Sequence, residues 1–164
     1  MSDLNVQLNL NMDNIDKTIR DLGKLSVNME TEIALGIYEV AELIKNKAEQ
    51  NLMEQGLGGS SITVDVQTFD DHIEIYSPSD HADYVEFGTG IIGEESPHPR
   101  PSFGNWVYDI NNHGEAGWVY IKNGKRYHTL GTRARPFMYP AWLYGSRIYT
   151  SVINKHLRRI NTLW

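Results

Sequence analysis

The sequence contains no cysteine and no long apolar run, and these two absences exclude several classes of protein. Without cysteine the chain forms no disulfide, has no thiolate nucleophile and offers no zinc–cysteine site, a composition that suits a reducing compartment. No stretch approaches the roughly 18 consecutive apolar residues of a transmembrane helix. The N-terminal segment alternates and lacks the apolar core of a signal peptide. We therefore expect no membrane association.

Recognisable catalytic and cofactor-binding motifs are equally scarce. The chain has no HExxH sequence, no GxSxG sequence and no phosphate-binding glycine loop that ends in lysine. The densest group of possible metal ligands is Asp70, Asp71, His72 and Glu74. It lies on a predicted hairpin turn, where aspartate is common because it tolerates turn geometry. We predict no catalytic residue, no cofactor and no metal site, and a small metal-dependent hydrolase built on this quartet is the alternative.

The composition is that of a folded domain rich in aromatic residues. The 164 residues are 40% hydrophobic and 22% charged, which fits a single domain with a core, and we predict one α+β domain over 1–164. Ten per cent of the residues are aromatic, with nine Tyr and four Trp. Tyr and Trp are enriched at protein interfaces. An aromatic core and an aromatic interface remain alternatives at this point.

Charge is distributed unevenly along the chain. The net charge of −6 divides into −5 over residues 1–60, −9 over residues 61–99 and +8 over residues 100–164. A subunit with two surfaces of opposite sign can pack head-to-tail with copies of itself and form rings. Alternatively, the two ends of the chain neutralise each other internally. The overall acidity, with an isoelectric point of about 5.5, disfavours specific DNA binding by the basic C-terminal residues.

Hydrophobic periodicity predicts a strand followed by a long helix. Apolar and polar residues alternate from Leu4 to Met12, which is typical of a strand. Asp13 is a plausible N-cap, and apolar residues then recur at three- and four-residue steps from Asn14 to about Met53. We expect this helix to bend or break at Gly23 and Gly36.

Two hairpins and a final helix are predicted in the rest of the chain. The first hairpin pairs residues 62–67 with 72–76, and the second turns at Asn123-Gly124, a dipeptide typical of two-residue turns. Residues 90–104 are rich in Gly and Pro and are predicted to form an exposed loop. The final helix is expected to run from about Pro140 to Ile160. Its predicted buried residues are Ala141, Tyr144, Ile148, Val152, Leu157 and Ile160.

Two short strings are the most informative part of the sequence. The first is ADYVEFGT (82–89), and the second is RPFMYPA (135–141), at the start of the final helix. In this order, after a long helix and a hairpin, they resemble the head–tail connector, neck or tail-completion proteins of tailed bacteriophages of the siphophage type. The matching residues are Tyr84, Glu86, Phe87, Gly88, Thr89, Arg135, Pro136, Phe137, Met138, Pro140 and Ala141.

The resemblance implies a structural role for these residues and for the protein. It implies a long N-terminal helix and a C-terminal helix on a small antiparallel sheet. It also implies a virion protein, assembled in the host cytoplasm, that forms a homo-oligomeric ring around the DNA channel. The implied partners are further copies of the chain and the phage head-connector and tail proteins, with DNA close by in the channel. A protein-binding module of a mobile element is a further alternative.

Physical reasoning assigns roles within the two strings. Gly88 allows a turn where a Cβ would clash, and Phe87 and Phe137 anchor the joint between the sheet and the final helix. Glu86 and Arg135 are predicted to form an ion pair across the strings. The 45 residues between the strings (90–134) are longer than the resemblance leads us to expect, and we interpret them as an insertion.

Overall fold

The computed structural model describes residues 12–59, 61–100, 106–109, 112 and 116–160. It has a mixed α/β architecture, with a long N-terminal helix, a C-terminal helix and two small antiparallel sheets of two strands, which confirms the predicted α+β class. The elements are α1 (Met12–Glu54), β1 (Asp65–Thr68), β2 (Ile73–Tyr76), α2 (Ala82–Phe87), α3 (Gly90–Glu95), β3 (Trp118–Lys122), β4 (Lys125–Thr129), β5 (Gly131–Thr132) and α4 (Met138–Ile160).

The chain divides into two compact units. The terminal unit contains the described residues up to Glu39 together with those from Tyr149 onward, and the central unit runs from Val40 to Ile148. Helices α1 and α4 each contribute residues to both units. The prediction of a single domain over 1–164 stays a prediction.

Helix α1 is continuous, so it does not break at either glycine, and a bend at these positions stays a prediction. At Gly23 nothing lies within 4 Å of where a Cβ would stand, so the residue costs only its weak helix propensity. Gly36 is buried, and a Cβ there would lie 2.8 Å from Cδ1 of Ile153. The helix already includes Asp13, so this residue is not the N-cap. The strand predicted before it lies outside the described residues, except Met12, which is helical.

The apolar stripe of α1 is buried only in part. In the central unit Val40, Ile44, Ala48 and Leu52 are all less than a tenth exposed. In the terminal unit Ile19, Leu22 and Met29 are 61%, 58% and 41% exposed. The periodicity therefore predicted the helix correctly, but only its C-terminal part lies in the core.

Both predicted hairpins are confirmed. Strands β1 and β2 pair with Val66 opposite Ile75 and are shorter than predicted, since Ile62 and Val64 are buried beside the sheet without joining it. Strands β3 and β4 turn at Asn123 (φ 52°) and Gly124 (φ 73°), the left-handed pair that two-residue hairpin turns require.

The region between the hairpins contains two short helices that the sequence did not reveal. Residues 82–87 form α2, and residues 90–95, predicted as an exposed loop, form α3. Each has six residues, too few for a hydrophobic period to be recognised. Residues 106–109 form neither a helix nor a strand.

Helix α4 starts two residues earlier than predicted. Pro140 is its third residue, a first-turn position where the missing N–H of proline is harmless. Ala141, Val152 and Ile160 are buried as expected, whereas Tyr144 is 37% exposed and lies outside the buried stripe. In the central unit, α4 packs closely on α1 at Gly145, where a Cβ would clash with Ile44.

Candidate functional site

The two strings meet at the buried carboxylate of Glu86. Oε2 of Glu86 accepts hydrogen bonds from the backbone N–H groups of Phe137 (2.7 Å) and Met138 (2.9 Å), and Oε1 accepts one from Tyr139 (2.9 Å). Glu86 is only 6% exposed although it lies on the short surface helix α2. A side chain of the first string thus caps the helix that the second string opens.

The start of α4 explains why a distant cap is needed. The first N–H groups of a helix have no partner within it, and the residue before α4 is Phe137, which has no capping oxygen. Pro140 removes one of the unpaired donors because it has no N–H. Glu86 satisfies the N–H groups that precede it, and its negative charge lies at the positive end of the helix dipole.

His98 completes the coordination of the Glu86 carboxylate. Its Nε2 lies 3.1 Å from Oε1 of Glu86 and must donate, because a carboxylate only accepts. Its Nδ1 lies 3.0 Å from the backbone nitrogen of Arg100 and 3.1 Å from the carbonyl oxygen of the same residue. The imidazole is 1% exposed and packs against the rings of Phe87 and Tyr139. With four donors on two oxygens, Glu86 has no lone pair free for a substrate or a metal.

Helix α1 holds the second string from another side. Nδ2 of Asn51 donates to the carbonyl of Phe137 over 2.8 Å, and Nε2 of Gln55 donates to the carbonyl of Pro136 over 2.8 Å. The side chain of Phe137 is 1% exposed and Ala141 is fully buried. Three segments that are distant in sequence therefore fix the entry of the chain into α4. We call this arrangement the junction.

The ends of the 90–134 segment are paired beside the junction. Thr89 and Gly90 form antiparallel bridges with Thr132 and Gly131. A Cβ on Gly131 (φ 108°) would clash with the carbonyl of Thr89, so only glycine allows the two chains to approach this closely. Gly88 (φ 80°) behaves as predicted, because a Cβ there would lie 2.6 Å from the backbone nitrogen of Ala134.

The inserted segment is not a separate appendage. The indole N–H of Trp106 donates to the carbonyl of Gly88 over 2.9 Å, and its ring stacks on Phe87 at 5.2 Å. His98 also belongs to this segment and reaches Glu86. The insertion therefore supplies two of the side chains that fill the junction.

The remaining residues of the strings lie around the junction. Arg135 donates its backbone N–H to the carbonyl of Val85 over 2.8 Å, and among the described residues the side chain that contacts the Glu86 carboxylate is His98. The predicted Glu86–Arg135 ion pair is therefore wrong, because backbone donors and an imidazole fill the carboxylate. Thr89 is buried and its hydroxyl accepts from the N–H of Thr132, whereas Tyr84 and Pro140 are exposed.

A cleft opens beside the junction in the central unit. Its volume is about 380 Å³, and its lining is mostly apolar, with Ile44, Ile75, Tyr76, Met138 and Trp142. Trp142 is 53% exposed and Tyr76 is 39% exposed. Asp83 is the acidic residue of the lining that remains exposed to solvent. The cleft is thus apolar, accessible and bordered by negative charge.

Sequence reasoning missed His98, Asn51, Gln55 and Trp106. The available signal was a helix start without a Ser, Thr, Asp or Asn before it, because such a start needs a cap from elsewhere in the chain. Glu86 stands alone between the apolar residues Val85 and Phe87, which makes it a candidate for that role. No local pattern identifies His98 or Asn51.

The acidic quartet on the first hairpin is a surface cluster. Nδ1 of His72 lies 2.6 Å from Asp71, Nε2 lies 3.3 Å from Glu74, and the ring stacks on Phe69 at 4.6 Å. These hydrogen bonds, first to Asp71 and then to Glu74, raise the pKa of His72 above its usual value. Because carboxylates face both ring nitrogens, the imidazole presents no lone pair to a metal. Within the described ranges, no group of side chains is arranged to hold a metal ion.

A second buried histidine lies in the terminal unit. Nδ1 of His156 lies 2.9 Å from Glu32 and Nε2 lies 2.8 Å from Glu39, so α4 and α1 are joined through the ring. Lys155 also bonds Glu39 at 2.7 Å. Hydrogen bonds from Lys155 and then His156 lower the pKa of Glu39. Because the two carboxylates lie on different ring nitrogens, they do not converge on one metal position.

Comparison with known proteins does not assign this chain to a family. None of the helices in the described part of the chain has the length and apolarity needed to cross a membrane. No protein-family model, no curated protein and no solved structure matches this chain. The resemblance to phage neck proteins therefore stays a prediction that rests on the two strings.

Proposed function

We propose that this protein is a structural component of a tailed-phage virion that joins head to tail and assembles into a ring around the DNA channel. In this proposal the protein makes and breaks no covalent bond. It works by presenting surfaces in a fixed geometry to copies of itself and to the head-connector and tail proteins.

The junction is the observation that carries the proposal. The two strings on which the family resemblance rests are separated by 45 residues in sequence. Even so, the carboxylate of Glu86 in the first string accepts hydrogen bonds from three backbone N–H groups of the second. Strings that form one buried joint have a physical reason to occur together. The saturated carboxylate also supports a role in shape, because all four of its hydrogen-bonding positions are used within the fold.

Exposed apolar surface supports self-association. Ile19, Leu22 and Met29 recur at three- and seven-residue steps on α1 and stay exposed in the isolated chain. Such a stripe normally faces a partner helix or another protein surface. Since large exposed apolar areas are costly in water, a protein that keeps them is expected to bury them in an assembly.

The acidic segment 61–99 is our candidate for the channel lining. It carries nine carboxylates and no Lys or Arg, and Glu86 is the buried one among them. Negative charge on a channel wall repels the phosphates of DNA and limits its adhesion. A reconstruction of the ring with this segment facing outward would remove this part of the proposal.

The experiment is to measure the mass of the purified protein alone and with a purified head-connector protein encoded in the same genome. Sedimentation gives the mass, and electron microscopy shows whether rings form. We expect a discrete ring, or a stoichiometric layer on the connector, and we expect portal, capsid and tail genes next to this gene. A chain that binds neither itself nor the connector would refute the proposal.

The hydrolase alternative has its own test. Replacing Asp70, Asp71, His72 and Glu74 by Asn, Asn, Ala and Gln would abolish activity if the quartet were catalytic. A neck protein would keep its assembly after the same changes. The contacts of His72 with Asp71 and Glu74 favour the second outcome.

A further inference from the structure

We propose that the β3–β4 hairpin of one copy binds in the apolar cleft beside the junction of the next copy. This inference rests on the proposed function, because it names the contact through which the chain would self-associate. The occupant is a second copy of this chain, and the contact is head-to-tail, since hairpin and cleft are formed by different residues.

The hairpin exposes apolar side chains that nothing in the described chain covers. Every residue from Val119 to His128 is exposed, with Val119 at 58% and Ile121 at 70%. In the register of the hairpin, Val119 lies opposite His128 and Ile121 lies opposite Arg126. Because side chains alternate along a strand, these four residues share one face.

A hairpin of this kind is expected to become more stable when a partner covers its apolar face. An isolated two-stranded hairpin is marginally stable in water unless its apolar face packs on another surface. Here Tyr120 and Tyr127 stack at 5.5 Å on one face, while Val119 and Ile121 on the other face stay 58% and 70% exposed. Burial of the face that carries Val119 and Ile121 is therefore expected to stabilise the hairpin most.

The cleft offers a surface of matching chemistry. Its walls come from α1, β2, α2 and the start of α4, and they expose the indole of Trp142 and the ring of Tyr76. Large, partly exposed aromatic side chains in a concave apolar site are typical anchors of protein interfaces. Aliphatic side chains such as those of Val119 and Ile121 suit walls of this type.

Charge complementarity selects a second copy as the occupant. Arg126 lies on the same face of the hairpin as Val119 and Ile121, and Lys122 and Lys125 lie beside the turn on the opposite face. The chain has no Asp or Glu from Ala116 to Ile160. The residues that line the cleft include no Lys or Arg, and Asp83 is the exposed carboxylate among them. A basic hairpin and an acidic cleft attract between copies, whereas hairpin–hairpin and cleft–cleft contacts repel.

The test uses the absence of natural cysteines. One preparation carries Ile121→Cys and the other carries Met138→Cys with a size tag, and the two are mixed under mild oxidation. We expect disulfide-linked pairs of one tagged and one untagged chain. The control pairs Ile121→Cys with Leu35→Cys, which is 47% exposed on α1 and outside the cleft. Equal cross-linking of the control, or none at Met138, overturns the proposal.

A second measurement removes the apolar contact without touching the junction. Val119→Ser with Ile121→Ser should weaken self-association at least tenfold by sedimentation, with an unchanged unfolding midpoint. Val107→Ser, at a 65% exposed valine outside the hairpin, should leave association unchanged.

The outcomes separate this inference from the proposed function. A wild-type ring that is unaffected by the hairpin changes refutes the hairpin contact and leaves the neck assignment standing. A chain that stays monomeric at high concentration and gives no cross-link also refutes the contact, and connector binding then decides the function. Loss of binding to duplex DNA, with association unchanged, would instead assign the hairpin to nucleic acid.

Discussion

At the scale of single residues, Glu86 shows how a buried charge becomes a structural device. Burying a carboxylate is costly unless hydrogen bonds replace its water, and Glu86 receives four donors in place of that water. Three of the donors would otherwise be unpaired N–H groups at a helix start. These hydrogen bonds satisfy the N–H donors and the Glu86 carboxylate at the same time, and they fix the start of α4 relative to α2.

Glu86→Gln tests this role directly. The amide nitrogen would face backbone N–H donors, so one side of the cap becomes a donor–donor clash. We expect the free energy of unfolding to fall by about 1–3 kcal/mol, measured by urea denaturation. Glu94→Gln is the matched control, because Glu94 is exposed. Equal stability of the two variants would show that the cap contributes little.

His72 provides a prediction in pH. Its pKa is raised above the usual 6.5, with the hydrogen bond to Asp71 as the main cause. The stabilising contact is therefore complete below about pH 6.5 and is lost as the pH rises through the higher folded-state value. In an NMR titration, Asp71→Asn should lower the midpoint of His72 more than Glu74→Gln does. Asp70→Asn, next in sequence, should leave it unchanged, and any other order would contradict the assigned contacts.

At the scale of elements, the two interior glycines of α1 have opposite surroundings. Gly36 packs against Ile153 and His156 of α4, whereas Gly23 has open space where its Cβ would stand. Glycine in a helix interior is costly in either position. Only at Gly36 does the close approach of another helix compensate for that cost.

Substitution of the two glycines should move stability in opposite directions. Gly23→Ala should raise the free energy of unfolding by up to about 1 kcal/mol through helix propensity. Gly36→Leu should lower it by about 1–3 kcal/mol through overpacking, although leucine favours helices. Thermal unfolding followed by circular dichroism measures both changes. Destabilisation by Gly23→Ala would mean that this part of α1 is not a regular helix.

The sequence predicted helices and strands correctly where a pattern among neighbouring residues was long enough to be recognised. The apolar period of α1, the alternation of β1 and β2 and the Asn123-Gly124 turn are each set by neighbouring residues. The six-residue helices α2 and α3 are too short to show a period. The junction depends on contacts between residues that are far apart in sequence, such as Glu86 and Met138, 52 residues apart. A single sequence does not show which distant residues come into contact. Tyr144 was misassigned because spacing alone does not tell which residue at the edge of a stripe is exposed.

At the scale of the whole molecule, the central unit contains the acidic segment and the basic hairpin. Residues 61–99 have no Lys or Arg, and the hairpin has three basic residues and no carboxylate. Such segregation within one folded unit leaves attractive charge for a neighbour. The chain thus combines exposed apolar surface with charge of both signs, the combination that gives an interface both affinity and orientation.

Added salt distinguishes the electrostatic contribution to assembly from the contribution of apolar burial. The Debye length shrinks from about 30 Å at roughly 0.01 M salt to about 3 Å at roughly 1 M, so attraction between hairpin and cleft weakens as salt is added. We expect the dissociation constant of self-association, measured by sedimentation, to rise severalfold over this range. The triple variant Lys122→Gln, Lys125→Gln and Arg126→Gln should associate more weakly at low salt and respond little to added salt. Association that strengthens with salt in both proteins would show that apolar burial alone drives assembly, because screening does not weaken that contribution.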